Sequence, residues 1–217
     1  MKKIFVLFLF GCFTSFYAQN QKQENVKYGK TQISPYVVEA QEFQKKLNAE
    51  YLNPNETPLR GDHFKNFKEH PFFSIDINYR VEAQLVRTSN AKPFEIPTSS
   101  GATQTYREYG KIYFELDGKY QVLTIYQNLR LIQMEKYKNR LFLPFRDKTN
   151  GKETYGGGKY IDLEIPKSNT IIVDFNKSYH PYCAYNAYNY SCPIVPKENF
   201  LSIKIEAGVM YEDIYHH

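Results

Sequence analysis

Lys111-Ile112-Tyr113-Phe114-Glu115-Leu116-Asp117-Gly118-Lys119-Tyr120-Gln121-Val122-Leu123-Thr124-Ile125-Tyr126 is the stretch whose period decides the fold. Ile112, Phe114 and Leu116 alternate with Lys111, Tyr113 and Glu115, which gives one apolar and one wet face. Asp117-Gly118 supplies a two-residue turn, and Lys119 to Tyr126 returns as a second strand. The spacing predicts a β-hairpin.

Toward the N-terminus, Tyr79, Val81, Ala83 and Leu85 alternate with Arg80, Glu82 and Gln84, the pattern of another strand with one wet face. Pro93 and Pro97 bracket a short extended piece at 94–96. Toward the C-terminus, the charged, irregular residues 127–140 read as an exposed excursion. Four short runs rich in β-branched and aromatic residues follow, at 141–145, 160–165, 170–175 and 201–207. Pro166-Lys167-Ser168-Asn169 is expected to close a second hairpin. Strands in succession without intervening helices imply a mainly β fold, an antiparallel β-barrel or β-sandwich.

One N-terminal α-helix precedes the strands. Ser34 can cap it, Pro35 suits its first position, and Tyr36, Ala40, Phe43, Leu47 and Tyr51 form an apolar stripe. Glu42 and Lys46 are spaced as a helical ion pair, Asn53-Pro54-Asn55 ends the helix, and a short turn or helix is expected near 62–68.

Residues 1–18 read as a signal peptide, with Lys2 and Lys3 ahead of the apolar run Ile4 to Phe13 and cleavage expected near Ala18. This predicts export to the periplasm or the exterior, and no stable membrane insertion, because the run is too short to span a bilayer. Cys12 stands in the signal behind Leu9-Phe10-Gly11, and bulky Phe10 argues against its lipidation. Residues 19–33 read as a flexible leader, and 34–217 as a single β-rich domain. Cleavage removes two of the 28 basic side chains and no acid, leaving 26 against 23. That mild balance gives no reason to expect nucleic acid as a partner. Cys183 and Cys192 survive processing, and in an exported chain the default is a disulfide between them.

Two loops hold most of the unusual chemistry, 146–159 and 176–200. Gly151-Lys152 invites a phosphate-loop reading, but Glu153 stands where the metal-binding hydroxyl belongs and Arg146 where the first glycine belongs. The three glycines Gly156 to Gly158 read instead as positions demanded by backbone geometry. Asp147, Glu153, Asp162, Asp174 and Glu198 fall in or beside these loops, and two of them, from Asp147, Glu153 and Asp174 in the enzyme reading, could act as the acid/base pair of a hydrolase; alternatively Asp147 and Asp174 are turn caps or ion-pair partners. His180 with Cys183 and Cys192 falls short of a zinc ligand set, so neither metal nor cofactor is expected.

Leu143-Pro144-Phe145-Arg146-Asp147, the run Thr149 to Tyr160, and Asp174-Phe175-Asn176 resemble the domain of unknown function 1684 family. So do Pro181 to Asn186, Ser191-Cys192-Pro193, Pro196, Glu198-Asn199 and Ala207-Gly208, and the resemblance covers roughly 35–210. It implies a β-rich fold whose two loops belong to one pattern and meet in space. No activity follows from it. The residues themselves suggest a binding surface for a small polar or carbohydrate-like ligand. Arg146, Asp147, Asn150, Glu153, Tyr155, Asp174, Asn176, Tyr185 and Asn186 are its candidates, with tyrosines stacking and polar groups hydrogen-bonding. The alternatives are a hydrolase using paired carboxylates, and loops that serve as a structural lock for a partner-binding module.

Overall fold

The computed structural model describes residues 34–215. The expected signal peptide, Cys12 and leader lie outside the described residues. Helix α1 (Pro35–Leu52) begins as its proline predicts, although Ser34 caps it through its backbone carbonyl, which accepts from Val37 and Val38, and makes no side-chain cap bond. Ala40 and Tyr51 are buried along the expected stripe, while Tyr36 stays half-exposed beneath the Arg80 guanidinium, 3.8 Å from its ring centre. The helix is tied down by Glu39, paired with Lys177 at 3.0 Å. A short helix α2 (Gly61–Asn66) follows.

Seven strands form an antiparallel sheet: β1 (Arg80–Arg87), β2 (Phe94–Pro97), β3 (Thr103–Leu116), β4 (Lys119–Asn128), β5 (Arg140–Phe145), β6 (Lys159–Glu164) and β7 (Thr170–Asp174). The order is β6-β5-β4-β3-β1-β7, with β2 paired on β3. The β3–β4 hairpin closes as expected, with Asp117 at φ 52° and Gly118 at φ 65° in its turn. Its strands are longer than their clearest alternation, and a register shift between Glu108 and Gly110 bends β3.

The second expected hairpin does not form. β6 pairs with β5 and β7 with β1, so these neighbours in sequence are the two opposite edges of the sheet. Five strand spacings of about 4.8 Å would separate the edges of a flat sheet by about 24 Å. Residues 165–169 reach at most about 20 Å at full extension. The sheet is therefore curled into a half-barrel, and its strand order, not a tight turn, decides the role of the Pro166–Asn169 loop.

Inside the curl lie Leu85, Ile112, Leu123, Leu143, Phe145 and Val173, joined by Leu201, Ile203, Ile205 and Ala207. The last four alternate with exposed residues as a strand should. They nevertheless form no ladder strand. The segment runs extended against the loop after β5, with Leu201 N–H donating to Arg146 O at 2.7 Å and Lys148 N–H to Ile203 O at 3.0 Å. It packs as a plug in the core.

On the other face, Tyr106, Phe142, Tyr160 and Val195 form a second apolar cluster. A third, between α1 and the loops, gathers Tyr51, Leu59, Ala184 and Tyr185. No helix among the described residues is long and apolar enough to cross a membrane.

Candidate functional site

The loop 146–159 leaves β5 and returns as β6, and its polar groups turn inward. Asp147 is fully buried, with Oδ2 3.1 Å from Lys159 Nζ, itself fully buried. Its Oδ1 accepts from Thr149 N–H at 2.8 Å and Ile205 N–H at 3.1 Å. Burial lowers the pKa of Lys159, against the pull of Asp147. Asn150 accepts from Asp147 N–H at 2.6 Å and donates to Thr154 Oγ1 at 3.0 Å and Tyr155 O at 2.9 Å. Glu153 pairs with Lys204, whose hydrogen bond holds its carboxyl below the usual range. Arg146 is exposed, and its backbone bonds the 199–201 segment. Gly158 sits at φ 108°, where a Cβ would lie 2.6 Å from Val195 Cγ2 and 2.8 Å from Phe145 O.

The second loop is closed in the same way. Asp174 accepts from Asn176 N–H at 3.1 Å and Nδ2 at 2.9 Å, and Asn176 exchanges hydrogen bonds with the Asp76 backbone. Asn186 donates to Pro58 O at 2.9 Å and accepts from Asn189 N–H at 3.1 Å. Tyr185 is buried, its hydroxyl 3.4 Å from His70 Nδ1 and 3.3 Å from His180 Nδ1. His180 Nε2 accepts from Tyr155 N–H at 3.3 Å, which joins the two loops. Burial keeps both imidazoles neutral: the pKa of His70 falls to about 3, and that of His180 falls well below its ordinary value. The same burial pushes the Tyr155 hydroxyl up to about 12.

The expected disulfide is not formed: Cys183 is buried and Cys192 partly exposed, both are free, and Cys183 N–H lies 3.3 Å from Cys192 Sγ. The hydrogen bond between the thiols eases the first ionisation, lowering Cys183 to about 7 and raising Cys192.

The open space lies elsewhere. A cleft of about 840 Å³ is bounded by α1, the outer face of β3, β5 and β6, the turns at 131–137, and residues 179–182 and 190–193. Its volume is in the range of small-molecule sites. Phe142 meets Tyr160 edge-on at 4.8 Å between ring centres, Tyr106 lies 5.7 Å from Phe142, and Tyr182 lies 5.0 Å from Tyr190. Arg140 grips Asp162 with two hydrogen bonds, Nε to Oδ1 at 3.0 Å and Nη2 to Oδ2 at 2.6 Å. Tyr179 donates to the same carboxylate at 3.0 Å. Asn128 and the Tyr106 hydroxyl both donate to Gln104 Oε1, at 3.0 and 3.2 Å.

None of Arg146, Asp147, Asn150, Glu153, Tyr155, Asp174, Asn176, Tyr185 and Asn186 lines this cleft. Tyr155 and Tyr185 meet in the aromatic cluster against α1, while Asp174 and Asn176 tie down the chain near Asp76. Sequence reasoning named Asp162 only as one of five carboxylates in or beside the loops, and did not single out Arg140, Tyr160 or Tyr179 as site residues. One signal was present: 141–145 is apolar at every position, without alternation, which marks a strand covered on both faces.

Comparison with known proteins is consistent with this architecture. A family model described as protein of unknown function (DUF1684) matches residues 65–210. No curated protein matches the chain. A solution NMR structure of an uncharacterised protein from Haloarcula marismortui is 29% identical, with a TM-score of 0.65 over 83% of this chain and 96% of that one.

Proposed function

The chain belongs to the family described as protein of unknown function (DUF1684), and from the geometry of the cleft we propose that it is a non-catalytic binding domain for a small, neutral, polyhydroxylated or carbohydrate-like ligand. The observation that carries this reading is the tyrosine-walled cleft with the Arg140–Asp162–Tyr179 set along it. Aromatic faces offer apolar area to the C–H side of a ring, while Gln104, Asn128, Arg140 and Asp162 offer donors and acceptors at its rim. The charges on this wall neutralise each other, which favours an uncharged ligand. Arg146, Asp147, Asn150 and the other loop residues serve as the frame that sets β6, and with it Tyr160 and Asp162, in place.

The hydrolase alternative draws less support. Of the cleft's carboxylates, Asp162 is held by Arg140 and Tyr179, and Glu50 accepts from Tyr182. Export rests on the N-terminal sequence, and a Cys183–Cys192 bridge in an oxidising compartment would require the two thiols, free in this structure, to draw together.

A thermal-shift screen of the chain from Gln19 onward tests the proposal, with neutral sugars and polyols beside their charged analogues. Stabilisation by neutral polyhydroxylated compounds, lost in Arg140→Gln, is expected. Hits confined to charged compounds, or indifferent to Arg140→Gln, overturn the reading.

A further inference from the structure

The buried pair Asp147 and Lys159 plays no part in the cleft. Both side chains are fully buried, and their contacts are unequal. Asp147 Oδ1 receives two backbone N–H groups, Thr149 at 2.8 Å and Ile205 at 3.1 Å, whereas Oδ2 has no hydrogen-bond partner beyond the ammonium 3.1 Å away. Lys159 Nζ is steered onto this carboxyl by Ile205 O at 2.8 Å, with Ala207 O and Thr149 Oγ1 each at 3.5 Å. The rings of Phe145 and Phe73, 5.4 and 5.9 Å from Nζ, screen the pair from water.

We propose that Lys159 Nζ and Asp147 Cγ condense in the folded chain to an intramolecular isopeptide bond. Moving one proton from Nζ to Oδ2 converts the ion pair into a neutral amine and a carboxylic acid, with no net change in protonation. The amine lone pair attacks Cγ. Negative charge then develops on Oδ1, where the Thr149 and Ile205 N–H groups already point, as an oxyanion requires. A second Nζ proton passes to Oδ2, the Cγ–Oδ2 bond breaks, and one water leaves. The amide keeps the last proton on nitrogen, so the step needs no oxidant or co-reactant. Holding the amine nitrogen 3.1 Å from the carboxyl oxygen lowers the entropic part of the barrier. Burial favours the neutral amine by lowering the Lys159 pKa. The bond would join the loop after β5 to the first residue of β6, beside the 201–207 plug.

Intact mass spectrometry under denaturing conditions tests this on the chain as produced. The wild type is expected to be lighter than its sequence by one water, with the peptides carrying Asp147 and Lys159 recovered linked after trypsin. Lys159→Arg keeps a cation but loses the nucleophile, and is expected at its full sequence mass. The readout does not depend on whether that variant folds. Full mass for the folded wild type overturns the proposal. So does a water loss that peptide mapping places elsewhere, such as a succinimide at Asp117-Gly118.

Discussion

Asn199 completes the sheet at Thr124. The two strands β4 and β5 share a ladder position only at Tyr126 and Phe142. Where the ladder lapses, the Asn199 side chain accepts from Thr124 N–H at 2.8 Å and donates to Thr124 O at 2.8 Å and Pro144 O at 2.7 Å. Pro144 has no N–H to offer, so a side-chain amide from a distant loop does what backbone pairing cannot.

Asn199→Ala would leave buried backbone groups of both strands without partners. At about 1–3 kcal/mol for each unsatisfied group, partly relieved by relaxation, a loss of about 3 kcal/mol is expected in chemical denaturation. Asn199→Asp should not rescue it, because a carboxylate cannot donate to two carbonyls. Wild-type stability in either variant would refute the stitching role.

The first and last of the three consecutive glycines should separate cleanly. Gly156→Ala meets nothing nearer than 3.8 Å and is expected to be close to neutral. Gly158→Ala must place a methyl against Val195 and Phe145 O at φ 108°, and should cost about 2 kcal/mol or more. Equal melting temperatures for the two variants would contradict this backbone account.

Acid should weaken the fold through its histidines. His70 and His180 are neutral when folded, because burial depresses both pKa values, and ordinary when unfolded, near 6.5. The unfolded chain therefore binds more protons below about pH 6.5, and stability present above that pH is lost as pH falls toward about 3. Each neutral imidazole contributes a slope of about 1.4 kcal/mol per pH unit at most. Denaturation midpoints between pH 7 and 5, where carboxylates stay ionised, should fall in the wild type and less steeply in His70→Phe. A flat profile over that range would exclude the mechanism.

In the cleft, Tyr137 is half-buried and lines the wall beside Arg140, its ring centre 5.4 Å from the guanidinium carbon. Tyr137→Ala is expected to weaken any cleft ligand by about 1 kcal/mol, roughly five-fold, while leaving the unfolding midpoint nearly unchanged. Isothermal titration against the best compound of the screen measures the first, and a denaturation curve the second.

How much of this was legible in the sequence divides along contact distance. The β3–β4 hairpin is local, and Asp117-Gly118 announces it. The partners of β6 and β7 are not local: Pro166 to Asn169 looks like a turn, yet the chain there steps from one edge of the sheet to the other. The same holds for the site. Asp147, Asn150, Asp174 and Asn186 stand out by composition, but their polar groups are turned inward, onto backbone, onto the Thr154 hydroxyl and, for Asp147, onto Lys159. The cleft is assembled from α1, β3, β5, β6 and two later segments, none distinctive by itself. Leu201 to Ala207 alternates like a strand because its environment has two sides, core and solvent, not because a ladder neighbour exists.

The plug formed by Leu201, Ile203, Ile205 and Ala207 makes the core discontinuous in sequence: β1 to β7 all precede it, and they curl around a centre that 201–207 fill. The half-barrel is therefore closed by a non-local contact, and a chain cut before residue 201 is expected to leave Leu123, Leu143, Phe145 and Val173 facing an unfilled centre.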